Sequence, residues 1–186
     1  MLDRSSDTSA AVGSREAVAL TAIQRRVARP PVVGAARAMS LFGEHAAGWL
    51  AIGAAGALLD RPRRRQWTTA AAGVAGAHAA SIVVKRVVRR PRPHDPRVEI
   101  HVGTPSRLSF PSSHATSTTA AAVLYGGLLG RPAATLPTVP VMAFSRLVLG
   151  VHYPTDVLAG SALGAACAIT TRRLIARGSV GRWRTA

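Results

Sequence analysis

Acidic residues are scarce in this chain. Eight Asp and Glu stand against 24 Lys and Arg in 186 residues, for a formal net charge of +16. Aromatics are also few, at 4%. A nucleic-acid binder of such charge would spread its cations over exposed surfaces and interleave stacking aromatics. Here the arginines fall in short runs between long apolar stretches, which argues against a nucleic-acid partner. The single cysteine, Cys167, excludes an internal disulfide, and its apolar neighbours read as those of a small core residue. There is no CxxC or HExxH cluster, and the six histidines are scattered, so no metal site and no cofactor are expected. Residues 1–15 are polar and lack the apolar centre of a signal peptide, and read as a disordered tail. No internal repeat is present.

What remains is a chain dominated by Ala, Gly and Val, with positive mean hydropathy and basic connections. That pattern predicts an all-α fold, a polytopic membrane helical bundle. Five spans are expected, at about 39–59, 67–88, 113–130, 133–151 and 156–172, within a domain covering 16–172. Glu44 and His45, near the start of the first, belong at the interface or against other helices. Trp67 suits an interfacial belt. The segment 16–37 sets Val18, Ile23 and Val27 against Arg25, Arg26 and Arg29. It reads as an amphipathic helix lying at the membrane surface, interrupted by Pro30-Pro31. The tail 173–186 is basic. Small residues at Gly73, Gly76, Gly126, Gly127, Gly160 and Gly164 allow helix backbones to approach closely.

Three polar groups interrupt these apolar stretches. Lys85 is followed after six residues by Arg92-Pro93. Pro111-Ser112-Ser113-His114 stands at the expected start of the third span. Ser145-Arg146 is followed after five residues by His152, and after three more by Asp156. Lys85 is the only lysine in the chain. No crossing separates the first two groups and two separate the second from the third, so all three fall on one face of the bundle. Phosphate-ester cleavage needs charge neutralisation, a nucleophile and a proton for the leaving oxygen. Lys85, Arg92 and Arg146 supply the first. Ser112 and Ser113 offer hydroxyls and helix-start amides to an anion, although an ordinary N-cap serine looks the same. Asp156 is spaced to orient His152 as a nucleophile through Nδ1, leaving Nε2 free, and His114 is the candidate general acid. Arg86, Arg89 and Arg90 read as ordinary positive loop residues.

In these three groups the chain resembles the type 2 phosphatidic acid phosphatase superfamily, which also includes vanadium haloperoxidases. The family pattern is Lys-x6-Arg-Pro, Pro-Ser-Gly-His and Ser-Arg-x5-His-x3-Asp. The one departure is Ser113, where glycine is usual. The resemblance implies a helical-bundle core and metal-independent phosphatase chemistry. It implies His152 as nucleophile, Asp156 as its partner and His114 as acid/base, with Lys85, Arg92, Ser112, Ser113 and Arg146 around the phosphate. Membrane members usually have six spans rather than five. Small size and Ala/Arg-rich composition also resemble an actinobacterial branch assigned to cell-wall precursor synthesis. A lipid-linked phosphoribose is therefore the expected substrate. Polyprenyl diphosphate, phosphatidic acid and phosphatidylglycerol phosphate are the alternatives, and a non-enzymatic membrane interaction protein is the other class. Loop 94–110 is placed to shape head-group choice. Arginine counts on the two faces favour an active site on the cytoplasmic side of the plasma membrane.

Overall fold

Proline punctuates the helices. The computed structural model describes residues 4–177, with side chains from Arg15 to Ala176. Helix α1 runs Arg4–Val27 and α2 runs Pro30–Gly43, so the proline pair that interrupts 16–37 separates two helices. After α3 (Ala47–Leu59) and α4 (Arg64–Val88) comes a long irregular loop. The remaining helices are α5 (Ser113–Leu129), α6 (Pro132–Thr135), α7 (Thr138–Val148) and α8 (Pro154–Arg177). Among the described residues the only β-type pairing is one isolated bridge between Pro91 and Leu108. Helical backbone already starts at Arg4, inside the segment expected as a tail. Residues 178–186 of the basic tail lie outside the described residues.

Two expected spans are broken. The stretch 39–59 is interrupted at Glu44–Ala46, where His45 (φ 49°, ψ 25°) and Ala46 (φ 60°, ψ 15°) both take left-handed backbone. Two such non-glycine residues in a row cost about 1–3 kcal/mol each, so tertiary contacts must hold them. Ala46 is fully buried. One turn later Trp49 donates from Nε1 to Thr118 Oγ1 at 3.0 Å and accepts from the Tyr125 hydroxyl at 2.8 Å. The stretch 133–151 divides into α6 and α7 at Leu136-Pro137, where proline carries no amide for a continuous ladder. Among the described residues, one stretch, Arg61–Val88, is both long and apolar enough to cross a membrane. The others fail on length, or in α1 and α8 on their charged and hydroxyl residues.

Helix α5 is the axis of the bundle and is buried on almost every side between α3, α4, α7 and α8. Ala120, Ala121, Leu124 and Tyr125 join Trp49, Trp67, Val74 and Ala168 in the main core. Two of its hydroxyls are turned onto its own backbone: Thr116 Oγ1 donates to Ser112 O at 2.9 Å and Ser117 Oγ to Ser113 O at 3.0 Å. Trp67 does not sit in an interfacial belt. It is buried against Tyr125 with its indole N–H on Asp60, at 3.0 Å, so a half-buried carboxylate in the turn between α3 and α4 satisfies its polar end.

Small residues let α8 approach α5. A Cβ at Gly160 would fall 2.5 Å from Ser112 O, and one at Gly164 2.2 Å from Thr116 O. By contrast, Gly76 faces open space. Gly164→Ala is therefore expected to destabilise the protein by about 1–3 kcal/mol, because a backbone oxygen cannot rotate away. Thermal unfolding in detergent reads this directly, and an unchanged midpoint would contradict the close contact.

The inward face of α1 differs from the apolar stripe expected of it. Ala17, Leu20, Thr21 and Gln24 are buried, whereas Val18 is 53% exposed. Gln24 donates to Glu99 O at 2.7 Å and Val148 O at 3.0 Å, and accepts from Glu99 N at 3.0 Å. Polar closure against the loop and α7 thus selects the face that turns inward.

Candidate active site

The three sequence groups meet at one end of the bundle. Helices α4 and α7 arrive there with their C-termini, carrying Lys85 and Arg146. Helices α5 and α8 leave from there, with Ser112–His114 and Asp156 at their starts. The amide of Ser112 donates to Asp156 O at 2.9 Å, which ties the two helix starts together. Gly150 takes φ +69° after α7, and a Cβ there would meet Glu99 O at 2.2 Å. That turn delivers His152 into the interior, where it is 2% exposed.

His152 lies between a cation and a carboxylate. Its Nε2 is 3.2 Å from Arg92 Nη1, and its Nδ1 is 3.5 Å from Asp156 Oδ2. A guanidinium only donates, so Nε2 faces it with its lone pair and the ring proton belongs on Nδ1, towards the carboxylate. Nδ1 makes no hydrogen bond at that distance. Burial, then the charges of Arg92, Lys85 and Arg146, hold this imidazole well below its ordinary pKa, so it is neutral at pH 7. Asp156 is fully buried. Its Oδ2 accepts from the Tyr153 amide at 2.8 Å and its Oδ1 from Arg90 Nη1 at 2.9 Å.

The cations differ in how far the protein satisfies them. Lys85 Nζ donates to Leu108 O (3.1 Å) and Ser109 O (3.2 Å), which uses two of its three protons. Arg92 donates from Nε to Ser106 O and from Nη1 to Val151 O, both at 2.7 Å. Burial pushes its guanidinium down to about 10, against the pull of Asp156 and Glu44, so it remains charged at neutral pH. Arg146 is 2% exposed, its Nε reaches Ser145 Oγ at 3.3 Å, and its buried Nη2 has no partner. A buried guanidinium nitrogen left open beside two further cations fits an anion carrying several oxygens.

The two serines are already engaged. Ser112 is the N-cap of α5, accepting from Ala115 N at 3.4 Å. The Ser113 hydroxyl hydrogen-bonds Ser81 Oγ at 2.8 Å, turned towards α4. The His114 Nε2 lies 3.0 Å from Ser40 O, a pure acceptor, so that nitrogen carries a proton. It is also 3.9 Å from Glu44 Oε2, which the left-handed break at His45 and Ala46 brings to this end. In loop 94–110, Asp95 takes a bidentate pair from Arg97 at 2.9 and 2.8 Å, which holds its carboxyl well below the usual range.

Arg90 is not an ordinary loop cation. It bridges Asp156 and Glu16, and its guanidinium lies 4.1 Å over the Tyr153 ring. Sequence reasoning missed both Arg90 and Glu16, because no local pattern joins residues 74 positions apart.

The family model described as the PAP2 superfamily matches residues 66–178. The decaprenylphosphoryl-5-phosphoribose phosphatase of Mycolicibacterium smegmatis is 60% identical over 146 residues, covering 78% of this chain and 81% of that protein. The Mycobacterium tuberculosis protein of the same name is 52% identical over 153 residues, covering 81% and 85%. Among solved structures, a transmembrane PAP2-type phosphatidylglycerolphosphate phosphatase from Bacillus subtilis superposes with a TM-score of 0.75 at 21% identity, covering 94% of this chain and 90% of its own. Aquifex aeolicus LpxE gives 0.66 at 19%, covering 83% and 92%.

Proposed function

This chain belongs to the PAP2 superfamily, and from that premise we propose that it is a lipid-phosphate phosphatase removing the 5-phosphate of decaprenylphosphoryl-5-phosphoribose. The observation that carries the chemistry is the neutral, buried His152, held between Asp156 and three cations, one with an open buried nitrogen. The substrate reading rests on the names of relatives more than half identical over most of both chains.

The steps follow from the geometry. Arg146, Lys85 and Arg92 draw the phosphate oxygens, aided by free amides at the start of α5. His152 Nε2 forms the N–P bond as the P–O bond to the ribose breaks. The Nδ1 proton, facing Asp156, stabilises the positive imidazole that results. With the phosphate dianion bound beside it, His114 takes up a second proton and gives that proton to the leaving oxygen, returning to the neutral ring. It then takes one from water, whose oxygen bonds phosphorus as the N–P bond breaks. Because Ser112 caps α5 and Ser113 is turned to Ser81, their part is through helix-start amides more than free hydroxyls.

The protein is read here as an integral membrane protein. Leu58, Leu59, Val83, Val87, Leu158 and Leu174 are exposed around the bundle, and only 22% of the Arg61–Val88 window is buried. Such surfaces suit lipid. Five crossings are proposed, α2–α3 and α6–α7 each acting across its break, within a domain spanning 16–172. The active site is proposed to face the cytoplasm together with the basic loop and α1, a reading supported by the arginine counts on the two faces.

The test is phosphate release by the purified chain in EDTA. Decaprenylphosphoryl-5-phosphoribose is expected to outperform polyprenyl diphosphate and phosphatidic acid. Preference for either competitor removes the substrate reading and leaves the chemistry. Loss of all turnover in EDTA removes the metal-independent mechanism.

A further inference from the structure

Asp156 has no contact with bulk solvent, and its two oxygens are held from different directions. The Tyr153 amide fixes Oδ2, the oxygen nearest His152, and Arg90 Nη1 fixes Oδ1. Arg90 is itself held on three sides. Its Nη1 donates to Thr155 Oγ1 at 2.7 Å, its Nη2 donates to Glu16 Oε2, and its plane covers the Tyr153 ring. The other Glu16 oxygen accepts from the Thr155 amide at 3.0 Å and from its hydroxyl at 2.7 Å. One carboxylate from α1 therefore closes a ring through Arg90, Asp156 and the first turn of α8. The Gln24 contacts clamp the same helix to the loop at Glu99 and to the end of α7 at Val148.

We propose that Glu16 and Arg90 are positioning residues. Through them α1 sets the plane of the Asp156 carboxylate and hence the alignment of the His152 nucleophile. This rests on the roles given above to His152 and Asp156. The physical reason is charge geometry. A buried carboxylate beside a lone arginine would be drawn into a two-pronged pair, turning Oδ2 from the imidazole. Glu16 takes the second prong of the guanidinium and leaves Asp156 a single donor there. Neither residue is within hydrogen-bond reach of the phosphate-facing nitrogen of Arg146, so substrate affinity is not their task.

The experiment uses the full chain in detergent with decaprenylphosphoryl-5-phosphoribose. Glu16→Gln keeps the shape and removes the charge. It is expected to lower kcat between about tenfold and a hundredfold, with KM within about twofold, as a misaligned nucleophile would. Orthovanadate inhibition should be unchanged, since the cations are intact. On an Asp156→Asn background the same substitution should cost nothing further. Full kcat in Glu16→Gln overturns the inference, as does an equal loss on the Asp156→Asn background. A parallel loss of vanadate affinity and thermal stability also overturns it, because that is general loosening. His152→Ala and Asp156→Asn run alongside. If either retains wild-type turnover, the mechanism beneath the inference has failed instead.

Discussion

His152→Ala is expected to lower phosphate release by at least about 10⁴-fold, the scale of losing a covalent nucleophile. The size follows from how completely the site is organised around one nitrogen. Nε2 faces Arg92 with its lone pair, and the imidazole is kept neutral by burial and by three cations. No other neutral nucleophile shares that position: Ser112 caps α5 and Ser113 is bonded to Ser81. Rapid quenching of wild type with ³²P-labelled substrate should capture an acid-labile, base-stable phosphoprotein, and His152→Ala should give none. A labelled protein from the alanine variant would show that another residue is phosphorylated. Wild-type turnover by that variant would remove the covalent route altogether.

The parts of this site legible in the sequence are those set by short spacing. Lys85 and Arg92 bracket the end of one helix, Ser112–His114 begins another, and Arg146, His152 and Asp156 lie on either side of a single turn. Counting crossings between them was enough to place them together. The broken helices were less legible. Nothing in the composition of 39–59 marks a stop, because His45 and Ala46 are held in left-handed backbone by tertiary packing. Pro137 was visible, yet a proline at a helix start and one between two helices look alike in sequence. The role of α1 was hidden for another reason. Its apolar stripe pointed to a lipid-facing helix, but its buried face was chosen by Gln24 and Glu16 meeting partners 74 to 139 residues away. Arg90 was set aside with its neighbours, since its distinction from Arg89 lies only in Asp156 and Glu16. Trp67 differs because its ring packs inward on Tyr125 while its N–H reaches Asp60 in the α3–α4 turn, and that has the same local sequence as an indole facing lipid.

Arg146→Met is expected to separate function from stability. It should reduce kcat/KM by about 10³-fold, the loss typical of removing one fixed donor to developing negative charge. The folded protein without substrate should be as stable as wild type or more so. Both outcomes come from the same atom. Arg146 is almost wholly buried, has the charge of Arg92 near it, and has an Nη2 with no partner. A buried guanidinium with no ion pair among the described residues, and only the more distant Glu44 carboxylate to offset Arg92, is costly, and an apolar chain of similar volume relieves that cost. The wild-type protein tolerates it because a phosphate, with about two negative charges, is the missing partner. Orthovanadate should accordingly raise the melting midpoint of wild type strongly and that of Arg146→Met little, since stabilisation follows from binding to the folded state alone. A variant that melts lower than wild type before any anion is added would show that Arg146 is a structural ion already satisfied by the fold. A variant that keeps the vanadate shift would place the anion elsewhere.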